Sequence, residues 1–490
     1  MTESTSSIVD DLPVVVIGAG PVGLATAAHL LERGLIPLIF EAGPTAGSAM
    51  CEWGHVRLFS PWRFNIDAAA RRLLEPTGWD APKDTGLPTG AEFVDRYLTP
   101  LASTVEIAPR LNLNNRVIAV SRQGMDKTHS LGRESKPFLV RTVGADGHIT
   151  EQLARAVIDA SGTWDQSNPL GVAGLPAIGE AEAAPYLAGP LPDVLGRDRA
   201  RHAGKHTLVV GAGHSAANTL IDLAELARQE PGTRITWAVR GASVARLYGG
   251  GDADGLPARA ALGTGLRGLV EHGRITLLRE FTVSALSPGS NDVTVLAKTA
   301  AGTHTLVVDT IAAATGFRPD LDILRELRLD LDPGVEAPRE LASMIDPEFH
   351  SCGTVPAHGA DVLAHPDKDF YIVGMKSYGR APTFLMATGY EQVRSIAAEL
   401  AGDHEGAQLI ALDLPETGVC SSAPPAIDED GEAVIDAAAN AVSCCGSPGP
   451  VPVGFSAGVP QVRSGQRFSP PSTSGGNHEQ NPAEEPHRTR

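Results

Sequence analysis

Cysteine is scarce, with five among 490 residues. That is too few for a disulfide framework in a chain of this length, and it fits a reducing compartment. Aromatic residues are also few, at 5%, so any cluster of them stands out. Cations are outnumbered. Forty Lys and Arg against 58 Asp and Glu leave a formal net charge of −18, which argues against nucleic acid or an anionic membrane as partner. Long apolar runs are missing: the hydrophobic stretches break too early to span a bilayer. The opening MTESTSSIVDDLP lacks the basic patch and apolar run of a signal peptide. The expectation is a soluble, cytoplasmic protein with more than one domain, because a single core rarely organises so many residues.

What is present is a repeated unit. PVVVIGAGPVGLATAAHLLERGLIPLIFEA reads as buried strand, glycine turn, helix and second strand. Gly18, Gly20 and Gly23 form a G-x-G-x-x-G turn. The first glycine allows the tight turn, the second lets backbone approach a pyrophosphate, and the third lets the helix pack closely. The helix N-terminus then offers N–H groups and positive dipole to phosphate. Glu41 ends the next strand, where a ribose-binding carboxylate belongs. The unit recurs as KHTLVVGAGHSAANTLIDLAELARQEPGTRITWAVR, with Gly211, Gly213 and Ala216 in a G-x-G-x-x-A variant. Its second strand ends in Arg240 rather than an acid. An arginine there pairs with the 2′-phosphate of NADP, so NADPH is expected over NADH. Arg246 could share that role, and a solvated strand-end arginine is the plainer reading of Arg240.

After each unit comes a hairpin that leads into another buried strand: FLVRTVGADGHITEQLARAVIDASGTW and VTVLAKTAAGTHTLVVDTIAAATGFRPD. Two dinucleotide sites imply transfer between two dinucleotides, most economically FAD in the first and NADPH in the second. The expected fold is α/β with two Rossmann-like domains. A discontinuous FAD domain covers 12–165 and 305–405, with an NAD(P)H domain inserted at 166–304. A cysteine-bearing extension at 411–446 and a Pro-, Gly- and Ser-rich tail at 447–490, expected to be disordered, follow.

The order of these pieces, over roughly residues 12 to 405, resembles the two-dinucleotide-binding-domain flavoproteins: flavin-containing monooxygenases, thioredoxin reductases, and the glutathione and mercuric reductases. DASGTW, Asp159 to Trp164 and containing Gly162, resembles the linker between the domains. AATGFRPD, Ala313 to Asp320 and containing Gly316, resembles the monooxygenase-type return. The resemblance implies that YIVG, ending at Gly374, approaches the FAD ribityl and pyrophosphate. It also implies that Tyr390, Glu391 and Gln392 lie beside the isoalloxazine or ribityl. The chain departs from the family in having Met375 where an aspartate often follows Gly374, and Val56 where a second cysteine would partner Cys51. An ordinary dithiol reductase is thereby disfavoured. A nearer likeness is to monooxygenase-like bacterial flavoproteins associated with arsenic resistance.

Aromatic and cationic side chains gather in GSAMCEWGHVRLFSPWRFN, which holds Trp53, His55, Arg57, Trp62, Arg63 and Asn65. These could stack on a flavin, hold its pyrophosphate (Arg63), stabilise negative charge on it (Arg57) or move a proton (His55). An ordered loop with space-filling tryptophans is the alternative. Lys376, Tyr378, Arg380 and Thr383 form a second patch, readable as a solvated loop or as the border of a catalytic chamber. The candidate catalytic residues are Cys51, His55, Arg57 and Arg380. The leading reading is an FAD- and NADPH-dependent monooxygenase: NADPH passes hydride to FAD, reduced flavin activates O2, and one oxygen goes to a soft nucleophile such as a thiol or trivalent arsenical. A reductase of metal, disulfide or quinone, and a flavin-binding redox sensor, are the alternatives. Cys444 and Cys445 stand side by side; they read equally as ligands for a soft metalloid or as incidental surface thiols. The sequence leaves the oligomeric state open.

Overall fold

The computed structural model describes residues 9–244, 248, 257–346, 355–382 and 384–412. Arg246, Thr383, Cys444 and Cys445, and with the two cysteines the soft-metalloid expectation, lie outside the described residues.

The first repeat folds as β1 (Val14–Ile17), α1 (Pro21–Glu32) and β2 (Pro37–Phe40). All four β1 residues are buried, as expected for a parallel strand covered on both faces. Pro37 is the first residue of β2, where its missing N–H is tolerated. β3 (Leu111–Asn112) follows, then the antiparallel sheet β4 (Asn115–Arg122), β5 (Phe138–Gly144) and β6 (Ile149–Ala154). β7 (Ala156–Asp159) returns to pair with β1.

The second repeat gives β8 (His206–Val210), α2 (His214–Gln229), β9 (Arg234–Ala238) and β10 (Thr276–Leu278). The antiparallel sheet β11 (Thr282–Pro288), β12 (Val293–Thr299) and β13 (Gly302–Val308) follows, and β14 (Thr310–Ala313) pairs in parallel with β8. β15 (Phe370–Ile372) then joins β7, and α3 (Met386–Leu400) packs on α1. The parallel sheets run β15-β7-β1-β2-β3 and β10-β9-β8-β14. These are two Rossmann-like lobes, the first completed only by the late strand β15. β13 and β14 both pair inside the second lobe, so its sheets extend to Ala313 and past the boundary expected after residue 304. The apolar strand β14 has its hydrogen-bonding partner there, and the return comes only after it.

The two crossing segments are clamped together. Asn168 N–H donates to Gly316 O at 2.9 Å, Arg318 N–H donates to Gln166 O at 3.0 Å, and the Thr315 hydroxyl donates to Asn168 O at 2.5 Å. Among the described residues, no helix is long and apolar enough to cross a membrane.

Candidate functional site

The carboxyl ends of both parallel sheets open into one cleft of about 1240 Å³, lined by both glycine turns. That exceeds the several hundred Å³ of an ordinary single-ligand pocket. Open α/β sheets bind ligands at this edge because loops there present backbone N–H groups and helix N-termini.

In the first lobe, Gly18 has φ +97°, and a Cβ on it would sit 2.9 Å from Ala160 O. A Cβ on Gly23 would lie 2.0 Å from Gly18 O, so Gly23 serves helix packing. Gly20 differs: a Cβ there would meet nothing within 4 Å, so the bare backbone faces the cleft at the N-terminus of α1. Glu41 lines the cleft, and its carboxylate accepts from Ala19 N–H at 2.7 Å and Gly43 N–H at 2.8 Å.

The second turn repeats this division of labour. Gly211 has φ +140°, and its Cβ would lie 2.0 Å from Ala314 O. The indole N–H of Trp237 donates to Gly211 O at 2.8 Å and braces the turn. Ala216, in the first turn of α2, is buried. Gly213 has open space before it, and exposed Arg240 lines the same cleft. Gly162, Gly316 and Gly374 also line it, with φ of +71°, +86° and +67°. Two open glycine backbones at helix N-termini therefore fit the pyrophosphates of two dinucleotides.

One wall is aromatic. Trp164 lies 6.4 Å from Trp53 and 5.2 Å from Phe317, ring centre to ring centre, and its indole N–H donates to Glu52 at 2.8 Å. Phe317 and Trp164 come from the two crossing segments.

Several candidate residues lie elsewhere or are already engaged. Cys51 is exposed and Arg57 is exposed. Neither they, half-buried His55, nor Arg63 line the cleft. The Arg57 guanidinium donates to Leu87 O and lies 3.7 Å from Glu92. Arg63 lies over the ring of its neighbour Phe64, 4.6 Å away. Arg380 does reach the cleft but is held bidentately by Glu336 at 2.7 and 3.1 Å. Glu391 is buried against Arg394 at 2.8 Å. Gln392 is fully buried behind the cleft, where it accepts from Gly374 N–H at 2.8 Å. Tyr390 is likewise buried and donates to Asn65 O at 2.7 Å.

Lys376 and Tyr378 are buried, which replaces the solvated-loop reading of that patch. The Lys376 ammonium meets Asp159 at 2.6 Å. The signal for this pair was present: an aspartate closing the apolar strand AVID needs a buried cation or hydrogen-bond donors. His358, which backs Gln392, carried no such signal. Among the described residues, no group of three or more His, Cys, Asp or Glu side chains could hold a metal.

Comparison with known proteins agrees with this geometry. A family model described as pyridine nucleotide-disulphide oxidoreductase matches residues 15–338. Indole-3-pyruvate monooxygenase YUCCA6 of Arabidopsis thaliana is 29% identical over 217 residues, 44% of this chain and 46% of that protein. The chain thus spans about half the length of the curated relatives it matches. Among solved structures, the bacillithiol disulfide reductase Bdr (YpdA) of Bacillus cereus superposes with a TM-score of 0.60 at 19% identity, over 80% of this chain and 99% of that one. DfoA, the cadaverine monooxygenase of Erwinia amylovora, gives 0.56 at 14% identity, over 82% and 98%. At such identities the two structures speak to the fold alone.

Proposed function

The chain belongs to the pyridine nucleotide-disulphide oxidoreductase family, and from that premise we propose that it is an FAD- and NADPH-dependent monooxygenase acting on a soft, electron-rich small molecule. As a family member it is an oxidoreductase that uses FAD and NAD(P)H. The observation that carries the finer reading is the shared cleft: both open glycine turns line one space, behind one aromatic wall.

When bound, FAD supplies the chemistry that takes electrons from NADPH and delivers them to O2. The chain's own residues do the rest. The Gly18–Gly20 turn and the N-terminus of α1 hold the first pyrophosphate, and Glu41 receives the ribose. Gly213 and the N-terminus of α2 hold the second, and Arg240 meets the 2′-phosphate. Trp53, Trp164 and Phe317 keep water from the shared space, as an oxygen-transferring site requires. The cysteines favour the same reading. Cys51 is exposed and does not line the cleft, and the described residues that do line it include no cysteine to exchange with a disulfide. The oxygenase relatives are named for a 2-oxo acid, indole-3-pyruvate, so such acids join thiols and trivalent arsenicals as substrates to try.

The test is NADPH oxidation by the purified flavoprotein under heavy-isotope O2, with each of these compounds in turn. One labelled oxygen per product, with NADPH consumed in step, is the expected result. Anaerobic NADPH oxidation driven by a disulfide or quinone, without labelled product, would replace this reading with a reductase.

A further inference from the structure

Beneath the first-lobe turns lies an ion pair with no access to solvent. The Lys376 ammonium sits 2.6 Å from Asp159 Oδ2, and both side chains are 0% exposed. Asp159 closes β7, and its register partner Ile372 closes β15, so the pair spans the carboxyl ends of two adjacent strands. Ser161 completes the cluster. Its N–H and hydroxyl donate to Asp159 Oδ1 at 3.0 and 2.6 Å, and its oxygen accepts from Lys376 at 3.1 Å. Ser161 itself lines the cleft, as do Gly374 and Met375 just before Lys376. The cluster therefore runs from a dry interior to the cleft wall through one hydroxyl.

A buried pair is a costly way to join two strand ends. Desolvation offsets much of its Coulomb attraction, and apolar residues of similar volume usually serve stability as well or better. In return, both charges are held at fixed positions in a medium of low dielectric, where water screens them least. Such charges matter most beside a group whose own charge changes. Reduction adds electron density to a flavin, and nearby fixed charges are one of the means by which a protein tunes it.

We propose that Lys376, with Asp159 as counter-charge, sets the reduction potential of the flavin bound in the first lobe. This rests on the reading of that cradle as the FAD site. Lys376 stabilises the reduced flavin, Asp159 opposes it, and Ser161 holds the two in register at the cleft wall.

The opposite signs make the test. Flavin potentials are measured spectroelectrochemically on the holoprotein for wild type, Lys376→Met and Asp159→Asn. Thermal midpoints of the apoproteins are taken alongside. Lys376→Met leaves Asp159 uncompensated and lowers the potential; Asp159→Asn leaves Lys376 uncompensated and raises it. Shifts of the same sign, or none in proteins that retain FAD, would overturn the proposal. The double variant Lys376→Met/Asp159→Leu guards against misfolding, because it leaves no lone charge. If it holds FAD at the wild-type potential while neither single variant retains FAD, the pair is scaffold only and the proposal fails. Loss of FAD from all three variants has the same meaning. A wild-type protein that takes up no FAD would instead sink the assignment of the first cradle.

Discussion

Gln392 holds Gly374 in its cleft-lining turn: the side-chain carbonyl accepts the Gly374 N–H at 2.8 Å. The amide nitrogen of Gln392 donates to the Ser377 hydroxyl at 3.0 Å and to His358 Nε2 at 2.8 Å. One buried amide thus sustains the last glycine turn of the first lobe from behind. Gln392→Leu leaves the buried Gly374 N–H without an acceptor, at a cost of about 1–3 kcal/mol. FAD binding to apoprotein, followed by fluorescence quenching, should weaken roughly 5- to 100-fold if the turn carries that cost. Gln392→Glu keeps the acceptor and should lose less.

The same network predicts a pH dependence. His358 Nδ1 donates to Pro356 O at 3.0 Å, so Nε2 must be unprotonated to accept from Gln392. Burial lowers the His358 imidazole below its ordinary value of 6.5. Burial also brings His365 down to about 4. In both cases the unfolded chain takes up a proton that the folded one refuses. Stability is therefore fully present above about 6.5 and declines as the pH falls toward the folded value. Thermal midpoints should drop between about pH 7 and about pH 5, with FAD release following them. His358→Gln, which can still accept from Gln392, should flatten part of that drop; an unchanged profile would remove His358 from the account.

The architecture was legible because it rests on periodicity and punctuation. Apolar runs of four residues between glycine turns read directly as buried parallel strands, and the repeat of the unit showed two lobes. The cleft was legible where backbone makes it, at Gly18, Gly20, Gly211 and Gly213. Side-chain roles were harder, because a cation's partner is rarely its neighbour in sequence. Arg380 looked free until Glu336, 44 positions away, was seen to hold it. Lys376 looked solvated until β7 brought Asp159 beneath it, 217 positions away. Gln392 was expected beside the isoalloxazine or ribityl; its side chain is buried and acts on Gly374 from behind the wall.

The two glycines of the second turn should fail differently. A Cβ on Gly211 would lie 2.0 Å from Ala314 O, in a backbone with φ +140°. Gly211→Ala should therefore destabilise the second lobe itself, seen as a lowered thermal midpoint without any ligand. A Cβ on Gly213 meets nothing within 4 Å, so Gly213→Ala should fold with an unchanged midpoint and lose NADPH binding, because the methyl occupies the approach to the pyrophosphate. Calorimetry and NADPH titration separate the two outcomes. Equal thermal damage would show that Gly213 is structural as well.

Arg240 should decide between the two nicotinamide cofactors. It is exposed two residues past the second-lobe strand β9 and lines the cleft. A lone exposed ion pair contributes little, but a 2′-phosphate offers a doubly charged acceptor to a planar, bidentate guanidinium. A charge-assisted hydrogen bond of that kind contributes about 1.5–3 kcal/mol, or roughly 10- to 100-fold in binding. Arg240→Ala should raise KM for NADPH by about that factor while leaving KM for NADH and the maximal rate with either cofactor nearly unchanged. Raised salt should erode the wild-type preference and leave the variant indifferent, because the contact is electrostatic and solvent-exposed. A parallel loss with NADH would mean that Arg240 supports the fold of the turn rather than reading the phosphate.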